Sequence, residues 1–157
     1  MVAVPDLPRL AVEVVKAVRA PVAPSFVRLV LVRASSLPEV AARLPEGPST
    51  IAVRITGDRE LHRLNQRYAG HDSVTDVLSF SGSGSHVGDL AISWPAVIRQ
   101  AAEFTHPPPT ELALLCVHGM LHLLGWDHST RSERKEMVRL TIAALQLSEV
   151  QLPAGRL

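Results

Sequence analysis

Three of the chain's seven histidines fall in one short stretch, His118-Gly119-Met120-Leu121-His122-Leu123-Leu124-Gly125-Trp126-Asp127-His128. Two histidines four apart on a helix lie about 40° apart around its axis and about one turn along it, so both rings can reach one metal ion. A continued helix would carry His128 well off that face. Gly125 resolves this, because a glycine just past the last turn takes the left-handed conformation that ends a helix and lets the chain fold back toward the same ion. Three neutral imidazoles leave a tetrahedral zinc with one open position, as catalytic rather than structural zinc requires. The spacing therefore predicts one Zn2+ ion held by His118, His122 and His128.

A single histidine on an apolar helix is more often a hydrogen-bonded core residue than a ligand. Burying these imidazoles among Leu121, Leu123 and Leu124 without partners would be costly, which favours the metal. Cys116, two positions before His118, points to another side of the helix and reads as core. Asp127 is the nearest carboxylate in sequence. It could orient a ligand imidazole from behind, accept a proton, or cap the backbone at the turn. The spacing His-x3-His-x2-Gly-x2-His is also that of metzincin-like metalloproteases. Those enzymes place a glutamate directly after the first histidine as general base, and Gly119 has no side chain for that task. His62, His71, His86 and His106 fall in an exposed helix or in loops and read as ordinary surface residues.

The rest of the chain must build a body around that stretch. Its 157 residues suit one domain with a substantial core, taken as residues 1–150 with a short tail over 151–157. A hydrophobic share of 46% with 20% charged residues is that of a soluble globular protein. A net charge of +1 neither supports nor excludes nucleic acid as a partner. Cys116 is the only cysteine, so there is no internal disulfide and no disulfide-stapled secreted domain. The start, Met1-Val2-Ala3-Val4-Pro5-Asp6, lacks the basic and apolar regions of a signal peptide, and no apolar run reaches membrane-spanning length. The expected location is cytoplasmic.

Asp6–Arg19, with Leu10, Val12, Val14, Val15 and Val18, is predicted as a helix, and Ser25–Ala34, where Val27, Leu29 and Leu31 alternate, as a strand. Ser36–Leu44 fits a short helix, with Ser36 as a cap and Pro38 in its first turn. After a turn at Pro45-Glu46-Gly47-Pro48, Thr50–Thr56 reads as a strand. A helix with Leu61, Leu64 and Tyr68 follows, capped by Asp58 and broken at Gly70-His71-Asp72-Ser73. Val74–Phe80 and Asp89–Trp94 read as strands, joined by the Gly- and Ser-rich segment Ser81–Gly88, a hairpin loop or a flap. Pro95–Phe104 is a helix. Thr110 is predicted to cap the metal helix, which is apolar on nearly every side and so should be buried. Arg131–Leu147 is an amphipathic helix, and the tail Gln151–Leu157 is expected to fray.

The histidine stretch, read as His118-Gly119-x-Leu121-His122-x-x-Gly125-x-Asp127-His128, resembles the signature of the YbeY family, bacterial zinc-dependent endoribonucleases of rRNA maturation. Further blocks agree in order: Leu64-Asn65-x-x-Tyr68, Thr75-Asp76-Val77-Leu78-Ser79-Phe80 and Gly88-Asp89-Leu90-Ala91-Ile92-Ser93. The resemblance implies an α+β fold with a small mixed four-stranded sheet covered by five to six helices. It also implies zinc on His118, His122 and His128, single-stranded RNA as substrate, and the small ribosomal subunit as partner. One departure stands out. Where the family reads Tyr-Arg-Gly-Lys-Asp, this chain has Tyr68-Ala69-Gly70-His71-Asp72, and Val74 replaces the usual proline. An arginine beside the ion would suit a scissile phosphate, because its planar fork binds two oxygens. Arg63 or Arg67 from the same helix could compensate, although Arg67 points to a different side from Ala69.

The chemistry so implied is metal-assisted hydrolysis of a phosphodiester, with a zinc-bound water as proposed nucleophile and no side-chain base identified. The substrate 2′-hydroxyl is the alternative nucleophile. A non-catalytic or weakly catalytic ribosome-assembly factor with a structural zinc is the rival from another class, and the metalloprotease the rival among enzymes.

Overall fold

The computed structural model describes residues 9–69 and 76–157, without the side chains of Tyr68 and Ala69. The predicted break at Gly70–Ser73, His71 and Val74 lie outside the described residues. The first two elements exchange types relative to expectation. Leu10–Lys16 is a strand, β1, rather than part of a helix over Asp6–Arg19: Leu10 and Val12 are buried while Ala11 and Glu13 are exposed, the alternation of a pleated strand, and its β-branched valines suit that state. Pro24–Ala34 is a helix, α1, rather than a strand. Its buried residues are Val27, Val30, Leu31 and Ala34, spaced as one helix face, and Pro24 occupies the first turn where its missing N–H costs nothing. Leu29, which the alternating pattern placed inside, is 42% exposed.

A short helix α2, Pro38–Ala41, and a turn in which Gly47 takes φ +75° lead to β2, Ser49–Thr56. Ser36 does not cap α2. Its hydroxyl donates back to the Arg33 carbonyl. Helix α3, Asp58–Leu64, continues as a π-helical segment, Asn65–Ala69, and is followed by β3, Val77–Ser81, and β4, His86–Ser93. The two strands pair antiparallel as a hairpin, so the Gly/Ser segment is a hairpin loop and β4 begins earlier than expected. Helices α4, Trp94–Glu103, α5, Pro108–Leu123, and α6, Arg131–Gln146, complete the order. The sheet runs β1-β2-β4-β3, with β1, β2 and β4 parallel and β3 antiparallel at one edge, the mixed four-stranded sheet of the expected α+β fold.

Helix α5 lies in the core. It packs on β3 and β4 and is flanked by α1, α4 and α6, which explains a sequence apolar on nearly every side. Leu112, Met120 and Leu121 are fully buried beside Ile51 and Ile55 of β2, each contributing about 1.5–3 kcal/mol of apolar burial. Close approach to the sheet needs Gly119, because a Cβ there would come within 2.7 Å of Leu90 Cδ2 on β4. The helix cap is Pro107 rather than Thr110. Asp58 likewise is not a cap. Its carboxylate accepts from the Ser93 hydroxyl at 2.5 Å and from Arg99 at 2.9 Å, tying α3 to α4, and these two donors hold its pKa below the usual carboxylate value.

The tail is tied down rather than frayed. Arg156 donates to the Glu111 carboxylate, Nε to Oε1 at 2.9 Å and Nη2 to Oε2 at 2.5 Å, and its guanidinium lies 4.4 Å from the centre of the Phe104 ring. No helix among the described residues is long and apolar enough to cross a membrane.

Candidate metal centre

Helix α5 carries His118 and His122 on one face near its C-terminal end, and the way the helix stops decides where His128 goes. The Gly125 N–H donates to the His122 carbonyl and the Trp126 N–H to the Leu121 carbonyl, both at 3.0 Å. This pair of bonds closes the helix around a residue of positive φ, and Gly125 supplies it at φ +100°. Trp126 is drawn under the turn and buried, with the Arg43 guanidinium 3.7 Å above its ring, and Arg43 also donates to the Leu124 carbonyl.

Beyond the turn, Asp127 organises the segment that bears the third histidine. Its Oδ1 accepts from the His128 N–H at 2.7 Å and its Oδ2 from the Ser129 hydroxyl at 2.8 Å, so of its three expected roles the backbone-capping one is directly visible. Both donors hold the carboxyl below its usual range. The Thr130 hydroxyl then accepts from the Glu133 N–H and starts α6.

The three rings converge. Ring centres lie 4.6 Å apart for His118 and His122, 5.0 Å for His122 and His128, and 5.7 Å for His118 and His128. One ligand nitrogen from each falls within 4.8 Å of the others, and Nε2 of His118 is 3.1 Å from Nε2 of His122. Two nitrogens bound to one tetrahedral zinc at about 2.0–2.1 Å stand about 3.3 Å apart, so the donor set fits a metal ion. Among the described residues this is the one group of three or more His, Cys, Asp or Glu side chains with that geometry, and it holds three donors.

The electrostatics suit ligands as well. Burial, with smaller contributions from His122 and His128, lowers the pKa of His118 from 6.5 to about 4, against an opposing pull from Asp76. Burial and then His128 lower that of His122. Neutral imidazole is the form that binds metal. His118 and His122 are half-buried and His128 is exposed, so the cluster opens outward on the loop side.

Of the other expected placements, one holds and two differ. Cys116 is fully buried, and desolvation pushes its thiol up to about 12, which makes it an inert core residue as anticipated. His106 is not a surface residue: its side chain is 5% exposed and its Nε2 lies 2.8 Å from Glu111 Oε1. His86 lies on β4 rather than in a loop, between the Thr50 hydroxyl and Asp89. Asp76, remote in sequence from the histidines, pulls the pKa of His118 up against the effect of burial, and its Oδ2 accepts from Gln100 Nε2 at 2.9 Å. Only the fold brings it there.

The family model described as Endoribonuclease YbeY matches residues 26–148. A protein named Endoribonuclease YbeY from Chloroflexus aurantiacus is 43% identical over 131 residues, covering 72% of this chain and 84% of that one. Its namesake from Roseiflexus castenholzii is 50% identical over 93 residues, covering 52% and 58%. A solution structure from Thermotoga maritima shares the fold at a TM-score of 0.58 and 20% identity, covering 87% of this chain and 90% of that one.

Proposed function

This chain belongs to the Endoribonuclease YbeY family, and on that footing we propose that it is a zinc-dependent endoribonuclease that cuts single-stranded RNA during rRNA processing in the cytoplasm. Three imidazoles converging at the end of a buried helix carry the proposal. A zinc ion held there supplies Lewis acidity toward a phosphoryl oxygen and makes water more acidic. His118 and His122 come from a rigid helix, so their separation is set before any ion arrives. His128 comes from a loop, and Asp127 fixes its backbone by accepting its N–H. That gives Asp127 an orienting role exerted through the main chain. Gly119 faces Leu90, and with no side chain at that position the glutamate base of a peptidase has no counterpart.

A polymer can approach because His128 is exposed. The small ribosomal subunit is the proposed setting. A second reading, an assembly factor with a structural zinc, is favoured by Ala69 standing where the family signature has arginine. Cleavage of an end-labelled single-stranded RNA separates the two. The zinc-loaded chain is expected to cut it, while the chelator-treated chain and His122→Ala should not. Equal cleavage by all three would refute the hydrolase, and no cleavage by the loaded chain would leave the assembly factor.

A further inference from the structure

Arginines recur every four residues along α3 and the π-helical segment that continues it, at Arg59, Arg63 and Arg67, and all three are exposed. Four residues of helix rise about 6 Å and turn about 40° past a full circle, so successive members stand on one side, one above the next. The π-helical segment, with its wider turn, keeps Arg67 nearer the line of Arg63 than a continued α-helix would. Arg63 and Arg67 line a surface hollow of about 600 Å³ together with Arg54 from β2 and with Glu60, Leu64 and Gln66. Arg54 alternates with Val53 and Ile55 and pairs with Ala91, so it projects from the sheet face opposite to that of Leu90, on which α5 lies. The hollow is therefore separate from the metal centre. Glu60 is the one carboxylate among the described residues that line it. It accepts from Arg54, Nε to Oε1 at 2.5 Å and Nη2 to Oε2 at 3.1 Å, while Arg63 Nη2 stays 3.9 Å from Oε2, beyond hydrogen-bond distance. The other carboxylate of α3, Asp58, is taken by Ser93 and Arg99. Three guanidiniums thus share one carboxylate, on a chain whose net charge is only +1.

We infer that Arg54, Arg63 and Arg67 form an anchoring site for the phosphate backbone of single-stranded RNA, holding phosphates remote from the one that is cut. The inference rests on the proposed RNA substrate and adds a binding surface to it, not a step of its chemistry. Within the hollow Glu60 neutralises one positive charge and leaves two for an anion. A planar guanidinium fork takes two phosphate oxygens at once. A single strand presents its phosphates in a regular series, and the helix presents its guanidiniums in one as well, with Arg59 extending the row by a turn. The Arg63 side chain is 73% exposed, so it can turn to a phosphate without disturbing the core. Contacts of this kind position a strand and supply sequence-independent affinity, without reading bases.

The test follows binding of a fluorescently labelled single-stranded RNA to the full chain by anisotropy over a range of salt, with chelator present so that the RNA stays intact. Arg63→Ala and Arg67→Ala should each weaken binding and flatten the slope of log affinity against log salt by about 0.7, the share of one phosphate contact on a single strand. Glu60→Gln releases Arg54 and should do the reverse, tightening binding and steepening the slope by about as much. A gain on losing a carboxylate is something that a merely structural arginine cluster would not show. Arg28→Ala, which removes an exposed arginine from α1, should leave the slope as it is. Native slopes in Arg63→Ala, Arg67→Ala and Glu60→Gln would overturn the inference. So would a polyglutamate peptide that binds as tightly as the RNA and loses as much on Arg63→Ala, since the hollow would then belong to an acidic protein. If the native chain binds no RNA here yet cuts it when loaded with zinc, the anchoring site alone fails. If it neither binds nor cuts, the RNA reading fails and this inference with it.

Discussion

The Trp126 N–H donates to the Leu121 carbonyl across Gly125, and this one bond separates a helix that would carry His128 away from a turn that returns it. The turn works because Gly125 holds φ +100°, where a Cβ costs about 1–2 kcal/mol. No side chain crowds the site, the nearest atom to an added Cβ being Arg43 Nη1 at 3.5 Å, so the penalty is conformational rather than steric. Gly125→Ala should therefore lower unfolding free energy by about that amount in urea and weaken zinc binding, while His118 and His122 keep their helical positions. A variant that binds zinc like the native chain would show that His128 is not delivered by this turn.

The metal-free chain should lose stability in mild acid. Folding lowers the pKa of His118 from 6.5 to about 4. Above pH 6.5 the ring is neutral in both states and contributes nothing to the pH dependence. Between pH 6.5 and about 4 the unfolded chain takes up a proton that the folded chain refuses, so stability falls by up to about 1.4 kcal/mol per pH unit from this group. Below that range the loss levels off. His122 shifts in the same direction and adds to the effect. Urea melts of the chelated protein at a series of pH values should show this slope, and His118→Asn should reduce it. An unchanged slope would mean that the ring is solvated.

The histidine stretch was legible because its logic is local: four-residue spacing, a glycine and six further residues suffice to place three rings. The elements that failed did so where periodicity misleads. Val27, Leu29 and Leu31 alternate as a strand would, yet the buried set is Val27, Val30, Leu31 and Ala34, and only packing against β1 and α5 selects the helix. Leu10–Lys16 has the opposite ambiguity, since five apolar residues in seven fit either state until β2 pairs with it. The Glu111 network was illegible for a different reason. His106, Glu111 and Arg156 meet only after the tail has folded back over α4 and α5, and no spacing announces a contact between residues 45 apart.

Removal of the tail should be costly. Deleting residues 151–157 takes away the guanidinium and leaves Glu111 buried with only the His106 ring beside it. Breaking a buried pair by losing one partner typically costs about 3–5 kcal/mol. The truncated chain should show a clearly lower thermal midpoint, and Glu111→Gln in the same truncation should recover part of the loss by removing the uncompensated charge. Equal midpoints for native and truncated chains would mean that the tail contacts carry no net stability.

Ala69→Arg should raise cleavage of single-stranded RNA. A guanidinium bonding a phosphate is a charge-assisted interaction of about 1.5–3 kcal/mol, or roughly 10- to 100-fold in kcat/KM if made in the transition state. Zinc content should not change, which separates a gain in catalysis from a gain in metal loading. No gain would count against a missing guanidinium at position 69 as what limits cleavage by this chain.

Gly119 sets how closely the metal helix lies on the sheet, and a paired substitution can measure that. Its absent side chain leaves room for Leu90, which is 1% exposed on β4. Gly119→Ala would put a methyl 2.7 Å from Leu90 Cδ2, so the leucine must turn or the helix must lift. Overpacking of this kind costs about 1–3 kcal/mol, more than Ala gains over Gly in helix propensity. Leu90→Ala alone opens a cavity and should cost about 2–5 kcal/mol. Together the two should cost less than their sum, because the added methyl enters space that the leucine has vacated. Strict additivity in urea melts would mean that the helix is held away from β4 by something other than this contact. If the close approach also fixes where His118 and His122 stand over the sheet, Gly119→Ala should weaken zinc binding and the double variant should restore part of it.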